Sequence, residues 1–232
     1  MKSSVKTIII QLGFTNCYLI KGKHFLLIDT GKPGSESRFL KTLNQKNIDP
    51  SDIKSILITH GHWDHAGSLE AIKTITGAQA MIHILEKEWV EHGLIKAPSG
   101  LVPAGIVMHF LMNVFSPLVH MPESTIDISL SHFPYLMNDL EIPGKIIHTP
   151  GHTNGSLSLV LDSGEAFVGD LAMNGFPQFR KNGIPVVGDS MQDVKNSWKI
   201  LLNENVKTIY PAHGEPFSAK ILENTIRNHC VS

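Results

Sequence analysis

Cysteine is nearly missing from this 232-residue chain: only Cys17 and Cys230 are present, far apart and outside any CxxC spacing. That argues against a disulfide framework and against a cysteine-based structural zinc finger. Net charge is missing as well. Twenty basic residues face 21 acidic ones, which removes the basic footprint of a nucleic-acid-binding protein. The apolar run near the start, Ile8-Ile9-Ile10, is too short for the core of a secretory signal, so the expected location is cytoplasmic. No short-period repeat or low-complexity tract is present, and the length suits one large domain spanning 1–232.

One segment lacks charge altogether. Between 97 and 122 there is no Asp, Glu, Lys or Arg, a length that would suit a membrane span. Pro98, Pro103 and Pro117, Gly100 and Gly105, and the polar His109, Asn113 and Ser116 interrupt it, so no span is expected. Val107, Phe110, Leu111, Val114 and Leu118 recur at helical spacing, with Met108, Met112 and Met121 as adaptable bulk. The pattern reads as a core helix, or as a lid whose apolar side covers a substrate.

What is abundant is histidine, with 13 residues, the commonest metal ligand and the usual proton carrier near neutral pH. Apolar, β-branched runs predict strands at 6–12, 16–21, 24–28, 53–58, 79–84, 145–148, 156–161, 166–168 and 206–210. Helices are expected at 36–44 and 68–76, with another capped by Asp189 and running to about Leu202, Gln192 completing a capping box. Strands in both halves, with helices after some of them, suggest two packed sheets with helices outside.

The histidines sit where these strands end. The stretch "LITHGHWDHAGS" leaves strand 53–58. In extended backbone, residues two apart point the same way, so His60 and His62 converge, and Gly61 puts no side chain in the way. Asp64 and His65 open a helix and turn toward a second point. His152 in "TPGHTNGS", Asp170 in "FVGD" and His213 in "YPAHGEP" each follow another strand. Zinc takes about four His, Cys or carboxylate ligands, so seven candidates suit two ions sharing one bridging carboxylate.

In these residues the chain resembles the metallo-β-lactamase-fold hydrolases. The likeness rests on HxHxDH at His60 to His65, on the later His152, Asp170 and His213 in the same order, and on "LIDTG" at 27–31. It covers 16–216 apart from an insertion at about 90–137. It implies an α+β fold, the αββα sandwich, with a mostly helical apolar insertion. It implies that His60, His62 and His152 bind one divalent ion, that Asp64, His65 and His213 bind a second, and that Asp170 bridges. Zinc is the first expectation, with iron or manganese compatible with the same ligands. Asp29 would steady the histidine loop from behind, and Asp64 would also handle a proton. The nucleophile would be a metal-activated water, with no serine or cysteine required.

Departures narrow the class. The second-site cysteine of several true β-lactamases is replaced by Asp170, the flavodiiron glutamate by His62, and too little chain follows His213 for a glutathione-binding helical domain. The insertion is apolar, unlike the basic arm of transfer-RNA-processing relatives. The expected substrate is a small, partly apolar lactone, thioester or carboxylic ester, with Tyr135, Phe110, Met112 and Phe115 as candidate substrate contacts. A homodimer is compatible with the sequence. Two other readings stand beside this one: a mononuclear iron dioxygenase of the persulfide dioxygenase type, and a non-catalytic module that binds a membrane or partner through the apolar insertion.

Overall fold

Apolar runs become the strands of two six-stranded sheets. The computed structural model describes residues 5–115, 119–174 and 183–228. Contacts divide the chain into two compact units: Met1–Lys96 with Val119–Pro143, and Ala97–Leu118 with Gly144–Ser232. Of the stretch 90–137, the described residues 97–115 group with the second unit, and 90–96 and 119–137 with the first.

In the first unit, β1 (Lys6–Leu12), β2 (Thr15–Lys21), β3 (Phe25–Ile28), β4 (Ile53–Leu57), β5 (Gln79–His83) and β6 (Ile128–Leu130) lie side by side in chain order. β1 to β3 are antiparallel neighbours, and β3 to β6 run parallel. β3 is buried at every position and β4 at all but Lys54, which is why their sequences read as unbroken apolar runs rather than alternating ones. The connecting helices α1 (Glu36–Lys46) and α3 (Leu69–Thr76) bury Phe39, Leu43, Leu69 and Ile72 in the core made by Ile10, Leu27, Ile56 and Ile82. Between β4 and α3 lies a single-turn helix, α2 (Trp63–Ala66), and after β5 come a 3₁₀ turn, Ile84–Glu86, and α4 (Lys87–Glu91).

The first unit also holds a two-residue strand, β7 (Tyr135–Leu136). In the second unit, β8 (Gly144–His148), β9 (Leu157–Leu161), β10 (Glu165–Phe167), β11 (Thr208–Tyr210) and β12 (Phe217–Ser218) lie in the order β12-β11-β10-β9-β8. Its helices are α5 (Pro103–Phe115), α6 (Met191–Asn203) and α7 (Lys220–Asn228). Trp198, Val194 and Leu201 of α6 fill the core with Ala166, Ile209, Phe217 and Leu222. The cap of α6 differs by one residue from the expected one. Ser190, not Asp189, is in the extended N-cap position, φ −152° and ψ 113°, and its side chain accepts the N–H of Asp193 at 3.2 Å.

The core-helix reading of the uncharged segment is not what forms. α5 turns Ile106, Val107, Phe110, Leu111 and Val114 outward, with Phe110 66% exposed. Its buried side is Gly105, where a Cβ would meet the Val186 carbonyl oxygen at 2.0 Å, and half-buried Met108 packs near Met173, Val186 and Val187. Among the described residues, no helix is long and apolar enough to cross a membrane.

Trp198 is fully buried and its indole N–H donates to the Leu171 carbonyl at 2.9 Å. Trp198→Phe would leave that carbonyl without its donor and open a small void, so a loss on the order of 3 kcal/mol is expected, read as a lower urea midpoint with unchanged slope.

Candidate metal centre

Asp29 organises the cluster of candidate ligands carried by the first unit. It follows β3 in the left-handed region, φ 59°, a conformation that aspartate tolerates better than most residues. Its own N–H donates to the Leu57 carbonyl at 2.9 Å, which ties it to the end of β4. Its buried carboxylate accepts the Thr59 N–H at 2.8 Å and the Thr59 hydroxyl at 2.9 Å, and faces His65 Nδ1 at 2.8 Å. The His65 carbonyl in turn accepts Thr30 N–H at 2.7 Å and the Thr30 hydroxyl at 2.8 Å. One carboxylate thus fixes both ends of the stretch from Thr59 to His65.

These contacts assign the imidazole protons. The Asp29 carboxylate only accepts, so His65 Nδ1 carries a proton and its lone pair lies on Nε2. The single proton of the Thr59 hydroxyl goes to Asp29, so toward His60 Nδ1, 3.1 Å away, that hydroxyl accepts. His60 is therefore also protonated on Nδ1, with Nε2 as the donor atom available to an ion. Ring centroids of His60 lie 4.6 Å from His62 and 4.0 Å from His65. Asp64, partly exposed, brings Oδ2 to 3.7 Å from His65 Nε2.

The second unit gathers the other three. His152 follows β8, wholly buried, and donates Nδ1–H to the Val187 carbonyl at 2.9 Å. It too must hold its lone pair on Nε2. Asp170 follows β10, and its two oxygens face different histidines: Oδ2 lies 3.6 Å from His152 Nε2, and Oδ1 lies 3.3 Å from His213 Nε2. His213 follows β11, held by Ala212 N–H to the Gly169 carbonyl at 2.9 Å and Asn174 N–H to its own carbonyl at 3.1 Å. Each unit thus carries a buried His/Asp cluster. Imidazole nitrogens together with carboxylate oxygens are a donor set that suits zinc, iron or manganese.

The candidate substrate residues are not gathered in this way. Tyr135 lines a cavity of about 240 Å³ with His24, Lys54, Gln79 and Asp139. Lys54 and Gln79 begin β4 and β5, so that cavity sits at the opposite strand ends from His60. Phe110 projects from α5, Met112 is half-buried, and the side chain of Phe115 lies outside the described residues. Cys17 is buried, and burial pushes its thiol well up, with the charges of Asp29 and Asp64 adding to the effect; it remains a thiol. Trp63 packs against the first core and edge-on to Phe14, ring centroids 5.9 Å apart. Thr59, Glu86, Trp89 and the Val187 carbonyl went unnoticed in the sequence. Only Thr59, adjoining His60, had any positional signal.

The metallo-beta-lactamase superfamily model matches residues 10–213, and the chain belongs to that superfamily. It is 34% identical over 154 residues to the probable metallo-hydrolase YflN of Bacillus subtilis, which covers 62% of this chain and 53% of that one. This chain therefore spans about half the length of that relative. It is 29% identical over 205 residues to the probable metallo-hydrolase MJ0888 of Methanocaldococcus jannaschii, covering 87% and 88% of the two chains. A solved archaeal superfamily member from Sulfolobus tokodaii superposes with TM-score 0.73 at 21% identity, over 98% of this chain and 87% of that one. The BLEG-1 B3 metallo-beta-lactamase gives 0.71 at 19%, over 94% and 97%. The fold is the metallo-β-lactamase fold, as the resemblance implied.

Thr59→Val removes the hydroxyl that sets the His60 tautomer at nearly constant volume. In ¹⁵N-histidine spectra of the metal-free protein, the wild-type His60 ring should be protonated on Nδ1, and the variant should show a mixture. Zinc affinity in competition with a chelator should fall by about tenfold.

Proposed function

We propose that the two half-sites combine into one dinuclear centre and that the protein is a metal-dependent hydrolase of small ester-like molecules with an apolar portion. His60, His62 and His152 would hold one ion, Asp64, His65 and His213 the other, and Asp170 would bridge. The observation that carries this reading is Asp170, whose oxygens are turned to two different imidazoles, as a shared carboxylate requires. Such ions, when bound, lower the pKa of a bound water toward neutrality and polarise the scissile carbonyl.

The chain's own groups do the rest. Asp29 holds His65 in the ligating tautomer directly and His60 through Thr59. Asp64, with Oδ2 beside His65 Nε2 and partly exposed, is the group to pass a proton from the attacking water to the leaving oxygen or sulfur. The apolar portion of the substrate is assigned to α5. Leu101 N–H donates to the Val186 carbonyl at 3.1 Å and Gly188 N–H to the Ser99 carbonyl at 2.8 Å, so the lead-in to α5 is fastened to the segment whose Val187 carbonyl orients His152. Phe110 and Met112 are the contacts proposed there, and zinc is the metal proposed.

The exposed face of α5 also suits the non-catalytic reading, in which it binds a partner. Elemental analysis coupled to a panel of lactone, thioester, phosphodiester and β-lactam substrates separates the readings. Two ions per chain with turnover of lactones or thioesters, and none of the β-lactam, is expected. Asp170→Ala should lower metal content and cut kcat/KM at least about 100-fold, beyond the range for groups that only support ligands. Phe110→Asp should raise KM for long-chain esters while leaving short ones unaffected. One iron per chain with oxygen uptake would replace the hydrolase with a dioxygenase. Intact partner binding with no turnover of any kind would favour the module.

A further inference from the structure

Glu86 is a fully buried glutamate outside every motif. It ends the 3₁₀ turn after β5, and its Oε2 accepts the Gly61 N–H at 3.0 Å. That peptide lies between His60 and His62. Trp89, one turn further on in α4, packs on the same residue. A Cβ at Gly61 would lie 3.2 Å from Glu86 Oε2 and 3.3 Å and 3.4 Å from Trp89 Cε3 and Cβ. The Trp89 ring also lies roughly parallel to the His62 imidazole, 24° between planes and 6.4 Å between centroids, and the Lys96 ammonium sits 3.8 Å from the Trp89 ring centre.

The glycine is therefore explained differently from the sequence reading. Its missing side chain makes room for a carboxylate and an indole against the backbone. Burying a carboxylate costs stability unless it is well hydrogen-bonded, so its expense is matched to what it holds. The Glu86 carboxyl oxygen meets the Gly61 N–H at ordinary hydrogen-bond distance. Fixing that one peptide plane fixes the direction in which both flanking residues leave the backbone. A pair of ligands set in advance loses less conformational entropy when an ion arrives.

We propose that Glu86 is a positioning residue for the histidine pair: it pins the Gly61 peptide against Trp89, so that His60 and His62 present their ring nitrogens at one spacing before metal enters. This rests on the dinuclear reading above. The two are tested separately by titrating zinc into metal-free protein against a chromophoric chelator, and by recording the cobalt-substituted absorption spectrum. Glu86→Ala should weaken zinc binding on the order of tenfold or more and shift the cobalt bands, because the histidine geometry relaxes. Glu86→Gln retains an acceptor oxygen and should stay within about threefold of wild type, with wild-type cobalt bands. Gly61→Ala, which keeps the carboxylate but crowds it, should weaken zinc as Glu86→Ala does, and it decides the matter if Glu86→Ala does not fold. Wild-type affinity and spectrum in both Glu86→Ala and Gly61→Ala would overturn the assignment. So would a Glu86→Gln variant as impaired as Glu86→Ala, which would mark a need for buried charge rather than for the bond to Gly61. A wild-type chain that takes up no zinc would overturn the dinuclear reading along with it.

Discussion

The carboxylate of Asp29 is the contact on which the first unit's histidine cluster depends. It replaces three separate anchors: one for the peptide of Thr59, one for the Thr59 hydroxyl, and one for His65 Nδ1. Each would otherwise be a buried donor without an acceptor, costing about 1–3 kcal/mol. Because the hydroxyl's proton is committed to Asp29, the effect passes on to His60, which must keep its own proton on Nδ1. Two imidazoles thereby have Nδ1 engaged, and Nε2 turned elsewhere, through a single side chain at the end of β3. The same side chain is joined by its N–H to the end of β4, so strand pairing and histidine orientation are set by one residue.

The second unit reaches a similar result by other means. His152 is oriented by a backbone carbonyl, that of Val187, and Asp170 stands between His152 and His213. The loop of His152 is closed over by the start of α6, where the N–H groups of Asp189 and Ser190 donate to Gly151. Behind Asp170, Trp198 of the same helix holds the Leu171 carbonyl. Packing of α6 and placement of two candidate ligands are therefore one problem. A void in that core would be felt at the site, since packed interiors transmit strain rather than absorb it.

Much of this was legible in the sequence, and the reasons for the rest are physical. β1 was read to the residue, and most other strands to within one or two positions, because continuous apolar runs closed by Gly and Asp are strong signals. That His60, His62, Asp64, His65, His152, Asp170 and His213 follow strands was visible for the same reason. Periodicity in α5 disclosed an apolar face but not what that face meets, and it turned out to meet solvent. Adjacent Asp189 and Ser190 were equally good caps by residue type, and only the path of the preceding loop chose between them. Tyr135 was sought near the histidines but lies beside Lys54 and Gln79, at the other strand ends, which no local pattern encodes. Glu86 and Trp89 touch Gly61 from across a strand and a helix. Their spacing in the chain carries no signature.

Convergence of seven residues from two units on a pair of ions is the central claim, and anomalous diffraction at the metal edge from metal-loaded crystals measures it directly. Two peaks are expected for each chain, one beside His60, His62 and His152 and the other beside Asp64, His65 and His213, with Asp170 contacting both. A single peak, or peaks away from these residues, would contradict it.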